Sequence, residues 1–164
     1  MGKITVETCE IEGLKVITPA VFVDERGYFM ETYNYNDYKA AGIDQVFVQD
    51  NQSASSKGVL RGLHFQINYP QDKLVRALKG EVYDVAVDLR KGSPTFGKWF
   101  GVLLTEENKK QFFCAEKFLR MVFLCFLIMR SSLINARTFI IPMMKAVLPG
   151  MTRISALSGL FRKA

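Results

Sequence analysis

The stretch Glu81-Val82-Tyr83-Asp84-Val85-Ala86-Val87-Asp88-Leu89 decides the fold class of this chain. Its side chains alternate with a period of two, which is the pattern of a half-buried β-strand. The odd positions from 83 to 89 are apolar, whereas Asp84 and Asp88 lie on the opposite face together with Ala86. The simplest interpretation is that the two aspartates mark the solvent-facing side of a sheet.

Segments of the same character extend outward on both sides of this strand. Arg90-Lys91-Gly92-Ser93-Pro94-Thr95-Phe96-Gly97 is a dense turn signal. Short β-branched and aromatic runs separated by turn residues predict strands at 13–18, 21–23, 28–33, 46–49, 59–66, 73–78, 81–89 and 98–104, one helix at 36–41 and a polar loop at 51–58. Strands at this spacing with little helix between them favour a sandwich or jelly-roll barrel over a βαβ fold. We therefore expect an all-β domain.

The composition predicts a cytoplasmic globular protein. The 164 residues are 49% hydrophobic and 23% charged, which is ordinary for one folded domain. The three cysteines are odd in number and lack CxxC spacing, which predicts free thiols in a reducing compartment. The N-terminal residues contain no apolar h-region, so no signal peptide is predicted. The most apolar run, 121–128, is far shorter than the roughly 20 residues of a membrane-spanning helix, so no membrane partner is expected.

The net charge of +6 is distributed unevenly along the chain. Residues 1–113 carry 14 Lys and Arg against 15 Asp and Glu, whereas residues 114–164 carry 8 against one. The second segment also lacks Tyr, Trp, Asp and His altogether. The sequence thus predicts a β-barrel core over 1–113 and an aberrant basic and apolar tail over 114–164, in the same domain or disordered. The tail has no basic helix face, so nucleic acid is not a predicted partner.

Three stretches together resemble the dTDP-4-dehydrorhamnose 3,5-epimerase family. They are Asp24-Glu25-Arg26-Gly27-Tyr28-Phe29-Met30-Glu31, Gly58-Val59-Leu60-Arg61-Gly62-Leu63-His64-Phe65-Gln66, and the run from Gly80 to Gly97 that contains the strand quoted above. Lys73-Leu74-Val75-Arg76 stands where the family carries an active-site lysine. The resemblance covers residues 5–113 in the family's order. It implies a cupin-like jelly-roll homodimer that inverts C3 and C5 of a dTDP-linked 4-keto-6-deoxyhexose without cofactor or metal.

The resemblance implies a catalytic role for His64 and Lys73. A proton beside a ketone becomes removable when a base is poised next to it and the enolate oxygen is stabilised. His64 is the only histidine, and an imidazole suits a base that works near neutral pH. Lys73 is the candidate for holding the negative charge that develops on the C4 oxygen. A lone histidine in a strand is nevertheless more often structural, and a single imidazole argues against a metal-dependent cupin.

Further residues are implied to bind the sugar nucleotide. Arg26 and Arg61 suit a diphosphate, because a guanidinium binds phosphate oxygens in a bidentate manner. Phe29 can stack on the thymine base. Glu31, Gln49 and Asn51 can hydrogen-bond to sugar and base groups.

Strand parity raises a difficulty for this site. Residues 61 and 64 would point to opposite faces of a regular strand. A β-bulge at Gly62 would bring them to one face. The sequence therefore predicts a bulge at that glycine.

The family's later signatures are missing after Phe113. They include Ala-His-Gly-Phe, a catalytic tyrosine, Asp-Glu-Gly-Gly, Trp-Asn-Asp-Pro and Glu-Trp-Pro. If the underlying codons are read one nucleotide earlier, they can encode four of these signatures in the family's order. The signatures then fall at residues 120–123, 142–147, 148–153 and 156–160. We therefore expect residues from about 114 onward to be a frameshifted translation of an epimerase gene. Loss of the tyrosine, of a second histidine and of an orienting aspartate predicts little or no activity, and loss of strands predicts an open barrel.

Two other functions stay open at this point. The first is a 3-epimerase, a 5-epimerase or a sugar-nucleotide-binding protein without turnover, because the motifs before residue 113 do not define the stereochemical outcome. The second is a binding module whose basic tail contacts an anionic surface, which a steep salt dependence of binding would reveal.

Overall fold

The computed structural model describes residues 4–64, 71–115, 122–128 and 132–138, with the backbone alone at 63–64, 122–128 and 132–138. Within these ranges the chain forms twelve strands and one helix. They are β1 (Ile4–Thr8), β2 (Leu14–Pro19), β3 (Val21–Asp24), β4 (Gly27–Met30), α1 (Tyr35–Ala40), β5 (Gln49–Ser55), β6 (Leu60–His64), β7 (Lys73–Lys79), β8 (Glu81–Asp88), β9 (Trp99–Thr105), β10 (Gln111–Cys114), β11 (Val122–Ile128) and β12 (Ser132–Thr138).

The strands form two large antiparallel sheets and one small one. The six-stranded sheet has the order β1-β2-β10-β7-β12-β5, and the four-stranded sheet has the order β6-β11-β8-β9. Strands β3 and β4 pair only with each other among the described strands. Sequence neighbours are often separated in the sheets, since β10 lies between β2 and β7. The predicted all-β class is confirmed.

The main core lies between the two large sheets. Its buried residues are Ile11, Leu14, Val16, Val75, Ala77, Val82, Ala86, Leu104, Phe112 and Cys114. These residues come from both sheets, so each sheet turns one face toward this space, called here the barrel interior. Burying apolar side chains in this way contributes roughly 25 cal/mol per Å² of surface removed from water.

A second cluster covers the outer face of the six-stranded sheet. Leu74 and Phe113 point away from the barrel interior and pack against Tyr38 of helix α1. The Tyr38 hydroxyl donates a hydrogen bond to Oε1 of Gln111 at 2.9 Å, and Nε2 of Gln111 donates to the Thr32 carbonyl at 2.9 Å. Both Tyr38 and Gln111 are fully buried, so this network fixes the helix to strand β10.

The position of the aspartates on β8 differs from the expectation. Asp84 and Asp88 are both 0% exposed and lie on the barrel-interior face with Val82 and Ala86. The interpretation that they mark a solvent-facing side is therefore wrong. The face that carries Tyr83 is the outer one, where the Tyr83 ring lies so close to Gly101 that a Cβ there would overlap it.

The segment after Val48 also differs from the sequence prediction. A strand was expected at 46–49 and a polar loop at 51–58, but residues 46–48 lie outside any strand and 49–55 form an edge strand that pairs with β12. Six of the seven residues of this strand are polar and none is buried, so it shows no apolar alternation. Its pairing partner, rather than its own propensity, makes it a strand.

The first part of the tail occupies barrel positions. Strand β11 lies between β6 and β8, and β12 lies between β7 and β5. The expectation that the tail would leave the barrel open is therefore wrong for residues 122–128 and 132–138. All seven residues of β11 are hydrophobic, which favours a buried strand, whereas only three of the seven residues of β12 are. Residues 139–164, which contain three of the proposed frameshifted signatures, lie outside the described residues.

Candidate active site within the barrel

Strand β7 places Lys73 on the barrel-interior face. Lys73, Val75 and Ala77 alternate along the strand, and the latter two belong to the main core. Leu74 points to the opposite side, into the cluster beneath helix α1. Lys73 itself is half-buried.

The sheet register places two predicted binding residues on the same sheet face as Lys73. Paired residues of neighbouring strands share a face of the sheet. One row across the six-stranded sheet runs Leu14, Cys114, Lys73, Thr138, Gln49. The next interior row runs Val16, Phe112, Val75, Ala136, Asn51. Gln49 and Asn51 therefore lie on the interior face, and Nε2 of Gln49 donates to Oδ1 of Asn51 at 2.8 Å.

Strand β6 contains the predicted irregularity at Gly62. Its register against β11 shifts, because His64 pairs with Leu124 whereas Arg61 pairs with Phe126. Three steps along β6 thus match two steps along β11, which is one extra residue on β6. Gly62 has a φ of 134°, a conformation that glycine tolerates and other residues rarely adopt. The predicted bulge at Gly62 is confirmed.

The bulge places positions 61 and 64 in interior rows of the four-stranded sheet. Leu124 also pairs with Ala86, and Phe126 also pairs with Asp84. Position 64 therefore stands in the row of Ala86, and position 61 in the row of Asp84. The side chain of His64 lies outside the described part of the structure, so its strand position alone is established.

The Arg61 side chain is exposed and bridges the two large sheets. Its Nε donates to the Ser55 hydroxyl at 2.7 Å, and a terminal nitrogen donates to the Ala54 carbonyl at 3.1 Å. Both partners belong to β5 at the edge of the six-stranded sheet. These bonds hold the guanidinium at the seam where β5 and β6 approach each other.

Asp84 is a candidate site residue that the sequence analysis did not identify. It faces the barrel interior and is 0% exposed, and neither carboxyl oxygen has a hydrogen-bond partner in the described structure. Burial raises the pKa of Asp84 well above its usual value, and the positive charge of Lys73 only partly opposes that shift. A signal was available, because Asp84 shares its strand face with apolar Val82 and small Ala86.

Asp88, two positions beyond Ala86, has a structural role. It accepts hydrogen bonds from Arg90 at 2.9 and 2.8 Å, from Ser93 at 2.7 Å and from Thr95 at 2.5 Å. Burial by itself would raise the pKa of Asp88, but these bonds outweigh burial and hold it far below the usual range. The carboxylate therefore organises the turn from Arg90 to Gly97.

Arg26 and Phe29 lie outside the barrel. They belong to the β3–β4 hairpin, where Phe29 is 68% exposed and the Arg26 side chain is 87% exposed. Arg26 forms an ion pair with Asp24 at 2.5 Å across the turn. The hairpin contacts the rest of the chain where Nζ of Lys109 lies 4.1 Å from the centre of the Tyr28 ring. Within one chain, the described structure does not bring these two side chains to Lys73.

Glu31 lies between the hairpin and helix α1. Its Oε1 accepts a hydrogen bond from Nδ2 of Asn34 at 3.2 Å. Asn34 is also the N-cap of α1, since its Oδ1 accepts from the backbone amide of Asn36 at 3.0 Å. Glu31 is thus positioned by the start of the helix and is half-buried.

Three features of the described residues bear on metals, membranes and thiols. No three His, Cys, Asp or Glu side chains among them are arranged to hold a metal ion. No helix in the described part of the chain has the length and apolar character needed to span a membrane. Of the cysteines whose side chains are described, Cys9 and Cys114 are both free thiols.

Comparison with known proteins identifies the family. The profile of the dTDP-4-dehydrorhamnose 3,5-epimerase family matches residues 8–126. This chain belongs to that family. Two curated members, from Methanothermobacter thermautotrophicus and Shigella flexneri, are 56% and 57% identical over 108 and 111 residues, or 66% of this chain in each case. The chain spans only 58% and 61% of the length of these two relatives.

Solved structures of family members share the fold. The epimerase of Legionella pneumophila, solved with dTDP-4-keto-L-rhamnose, superimposes with a TM-score of 0.79 at 42% identity, covering 85% of this chain and 73% of its own. The family member of Bacillus anthracis, solved with TDP and pyrophosphate, gives 0.79 at 34% identity over 85% of this chain and 79% of its own. The predicted cupin-like β-barrel is thereby confirmed.

Proposed function

We propose that the chain derives from an enzyme that epimerises C3 and C5 of dTDP-4-dehydro-6-deoxy-D-glucose, giving dTDP-4-dehydro-L-rhamnose, without cofactor or metal. The observation that carries this proposal is the register of the two large sheets. It aligns Gln49, Asn51 and Lys73 on one interior face and position 64 on the facing one. The Legionella relative, solved with dTDP-4-keto-L-rhamnose, supports the same substrate class.

The proposed reaction is proton exchange beside a ketone. His64 would take the proton from C3 or C5, and the electron pair of the broken C–H bond would move toward the C4 oxygen. The Lys73 ammonium would stabilise that enolate oxygen, since a charge-assisted hydrogen bond is worth more in a half-buried site than in water. Delivery of a proton to the opposite face of the same carbon completes each inversion.

The remaining predicted residues would bind the nucleotide. The guanidinium groups of Arg26 and Arg61 would hold the diphosphate, and Phe29 would stack on thymine. Gln49, Asn51 and Glu31 would hydrogen-bond to the sugar and the base. Because Arg61 is already held by Ser55 and Ala54, a phosphate would meet it in a fixed position.

We propose that this exact chain is impaired as a catalyst. Residues 114–164 contain no tyrosine, histidine or aspartate, so the segment offers none of the side chains implied to donate the proton or to orient His64. Matches to the two relatives above extend over 108 and 111 residues, in line with a loss of similarity in the tail. A frameshift near codon 114 accounts for the change of composition.

Two experiments test these statements. Nuclear magnetic resonance of the keto sugar nucleotide in deuterium oxide would follow exchange of the C3 and C5 protons. We expect little or no exchange with this chain, and exchange at a normal enzymatic rate would contradict the proposed impairment. Sequencing of the coding DNA across codons 110–120 tests the frameshift, which an unbroken reading frame shared with close relatives would exclude.

The lack of tyrosine, histidine and aspartate in residues 114–164 also favours a second candidate function. The chain could bind the sugar nucleotide without turnover, or exchange one carbon only. A 3'-monoepimerase of Streptomyces bikiniensis has the same fold, with a TM-score of 0.73 at 29% identity. Calorimetric binding of dTDP without proton exchange would favour a binding protein, and exchange at C3 alone would favour a monoepimerase.

We further propose that the chain acts in the cytoplasm as a homodimer. The β3–β4 hairpin exposes Phe22 and Phe29 by 55% and 68%, and an isolated two-stranded hairpin has little stability of its own. Packing against a second copy would bury these rings. It would also place Arg26 and Phe29 at the barrel of the partner. The free thiols of Cys9 and Cys114 suit a reducing compartment.

A further inference from the structure

Asp84 is a buried acid whose hydrogen-bonding capacity is unused in the described structure. It is 0% exposed, and both carboxyl oxygens lack a hydrogen-bond partner there. A buried polar group without a partner destabilises the folded state, and does so more strongly if it is charged. Asp88 on the same face shows the contrast, because Arg90, Ser93 and Thr95 satisfy its carboxylate. The backbone amide of Val85 and the charge of Lys73 act on this carboxyl group, but neither makes a hydrogen bond of ordinary geometry to it, so its hydrogen-bonding capacity is left for a ligand.

The surroundings of Asp84 favour its neutral form. Core residues Val82 and Ala86 flank it along the strand. Among the described residues, the other titratable groups that act on this interior region are Lys73 of β7, Asp72 just before β7, Cys114 of β10 and Cys9. Burial raises the pKa of Asp84 well above its usual value despite the charge of Lys73. A neutral carboxyl carries an O–H group, so Asp84 can donate a hydrogen bond as well as accept one.

Lys73 and Asp84 line the same space from facing sheets. Lys73 lies on the interior face of the six-stranded sheet, and Asp84 lies on that of the four-stranded sheet. The positive charge of Lys73 opposes the effect of burial on the pKa of Asp84. An ammonium only donates hydrogen bonds, so a neutral Asp84 would add a second donor on the facing interior face. Such a pair suits an oxygen that gains negative charge.

We propose that Asp84 is a second hydrogen-bond donor to the ligand oxygen that Lys73 binds. In the reaction proposed above, on which this inference rests, that oxygen is the C4 oxygen of the keto sugar. As the base removes a proton, the electron pair of the C–H bond moves onto this oxygen. The Asp84 O–H and the Lys73 ammonium then hold the enolate together, and neither gives up its proton. A buried acid kept neutral to donate to an enolate oxygen is a known catalytic device.

Two substitutions distinguish a neutral Asp84 that donates a hydrogen bond from an ionised Asp84 that only balances the charge of Lys73. Asp84→Asn keeps an N–H donor and removes the possibility of a negative charge, whereas Asp84→Val removes both at similar volume. Calorimetry would measure the affinity of wild type and variants for dTDP and for dTDP-4-dehydro-6-deoxy-D-glucose. We expect dTDP affinity to be unchanged in both variants. The affinity gain is the ratio of the affinity for the keto-sugar nucleotide to the affinity for dTDP. This ratio should stay within threefold of the wild-type value in Asp84→Asn and fall at least tenfold in Asp84→Val.

A matched control and an independent readout complete the test. Asp88 is a buried aspartate on the same face of β8, but its carboxylate holds the turn that follows the strand. Asp88→Asn should therefore leave the ratio of keto-sugar nucleotide affinity to dTDP affinity unchanged. Circular dichroism would show that each variant is folded. In the infrared spectrum, wild type should display the carbonyl band of an un-ionised carboxylic acid at pH 7, and Asp84→Asn should lack it.

The outcomes are distinct for the two proposals. An equal loss of keto-sugar affinity in Asp84→Asn and Asp84→Val, with dTDP binding intact, would overturn the donor role and leave the proposed function standing. Absence of the un-ionised carboxyl band in wild type would do the same. Failure of wild type to bind dTDP at all would contradict the proposed function itself, and the role of Asp84 would fall with it.

Discussion

At the scale of single residues, β8 carries two aspartates with opposite behaviour. Both are 0% exposed on the interior face, yet the pKa of Asp84 is raised and that of Asp88 is lowered. The difference lies in their partners, because burial dominates for Asp84 whereas hydrogen bonds from Arg90, Thr95 and Ser93 outweigh burial for Asp88. Burial alone therefore does not decide the charge of a carboxyl group.

This contrast predicts opposite effects of pH on stability. The folded state holds a proton on Asp84 that the unfolded chain releases near its ordinary pKa, about 3.9. Stability from this group is therefore lost as pH rises from that value toward the raised pKa of the folded state. Asp84→Asn should remove that decline, so the difference in the free energy of unfolding between variant and wild type should grow in favour of the variant as pH rises. Urea unfolding at several pH values would measure it.

Asp88 provides the control for that measurement. Its pKa is lowered on folding, so its contribution is present above the unfolded pKa and is lost as pH falls through the folded pKa. Asp88→Asn should therefore reduce stability near neutral pH and flatten the loss of stability in acid. The free energy of unfolding of wild type should fall relative to that of Asp84→Asn between pH 4 and pH 8. If it does not, the assignment of a neutral Asp84 is wrong.

At the scale of elements, the bulge in β6 sets the geometry of the site. Without the extra residue at Gly62, positions 61 and 64 would lie on opposite faces of the strand. The bulge requires a backbone φ of 134° that a β-branched residue strongly disfavours. One glycine thus determines whether strand β6 presents two predicted site residues to the barrel.

Replacing this glycine should disrupt the strand. Gly62→Val should lower the free energy of unfolding by about 1–3 kcal/mol, because it forces a side chain into a strained conformation. Leu60→Ala, an exposed change on the same strand, should cost well under that amount. Chemical denaturation of both variants provides the comparison, and equal effects would show that the bulge conformation carries no strain.

Helix α1 depends on one buried hydrogen-bond network. Tyr38→Phe removes the hydroxyl that donates to Gln111 and leaves Oε1 of that amide buried without this donor. We expect a loss of about 1–3 kcal/mol in the free energy of unfolding. Tyr35→Phe, on the exposed side of the same helix, should change stability by less than about 0.5 kcal/mol. Urea titrations followed by circular dichroism would separate these values, and equal losses would contradict the structural role of the network.

At the scale of the whole molecule, the chain combines a family barrel with an exposed hairpin. The large sheets share a buried core, whereas residues 21–29 are all exposed. The predicted site is divided in the same way, with Lys73 in the barrel and Arg26 in the hairpin. A homodimer would bring the two parts of the site together, since each hairpin could complete the barrel of its partner.

The dimer proposal predicts a change of mass on altering the hairpin. Static light scattering should give twice the chain mass for wild type. Phe22→Ser combined with Phe29→Ser should shift the population toward monomer, because two large apolar surfaces would no longer be buried. Exposed Phe96, 57% accessible in a different turn, supplies the control Phe96→Ser. A monomeric wild type, or a dimer unaffected by the hairpin changes, would contradict the proposal.

Much of the fold and part of the candidate site followed from the sequence. Strands β2, β7, β8 and β9 were found within about one residue because apolar alternation and turn residues are local properties. The bulge at Gly62 was predictable because strand parity is a geometric rule and glycine alone suits the position. The motifs predicted the family, and the composition changes near residue 114, within the 8–126 range that the family profile matches.

Only the tertiary structure decided which face of β8 is buried and where the polar strand β5 lies. Alternation reveals that a strand has two faces, but the core face depends on what packs against it, here a second sheet that covers Asp84 more completely than Tyr83. Strand β5 exists through its pairing with β12, far away in sequence. Packing between segments that are distant in sequence buries Asp84 and decides which groups surround it, so the raised pKa of this carboxyl group depends on the tertiary structure.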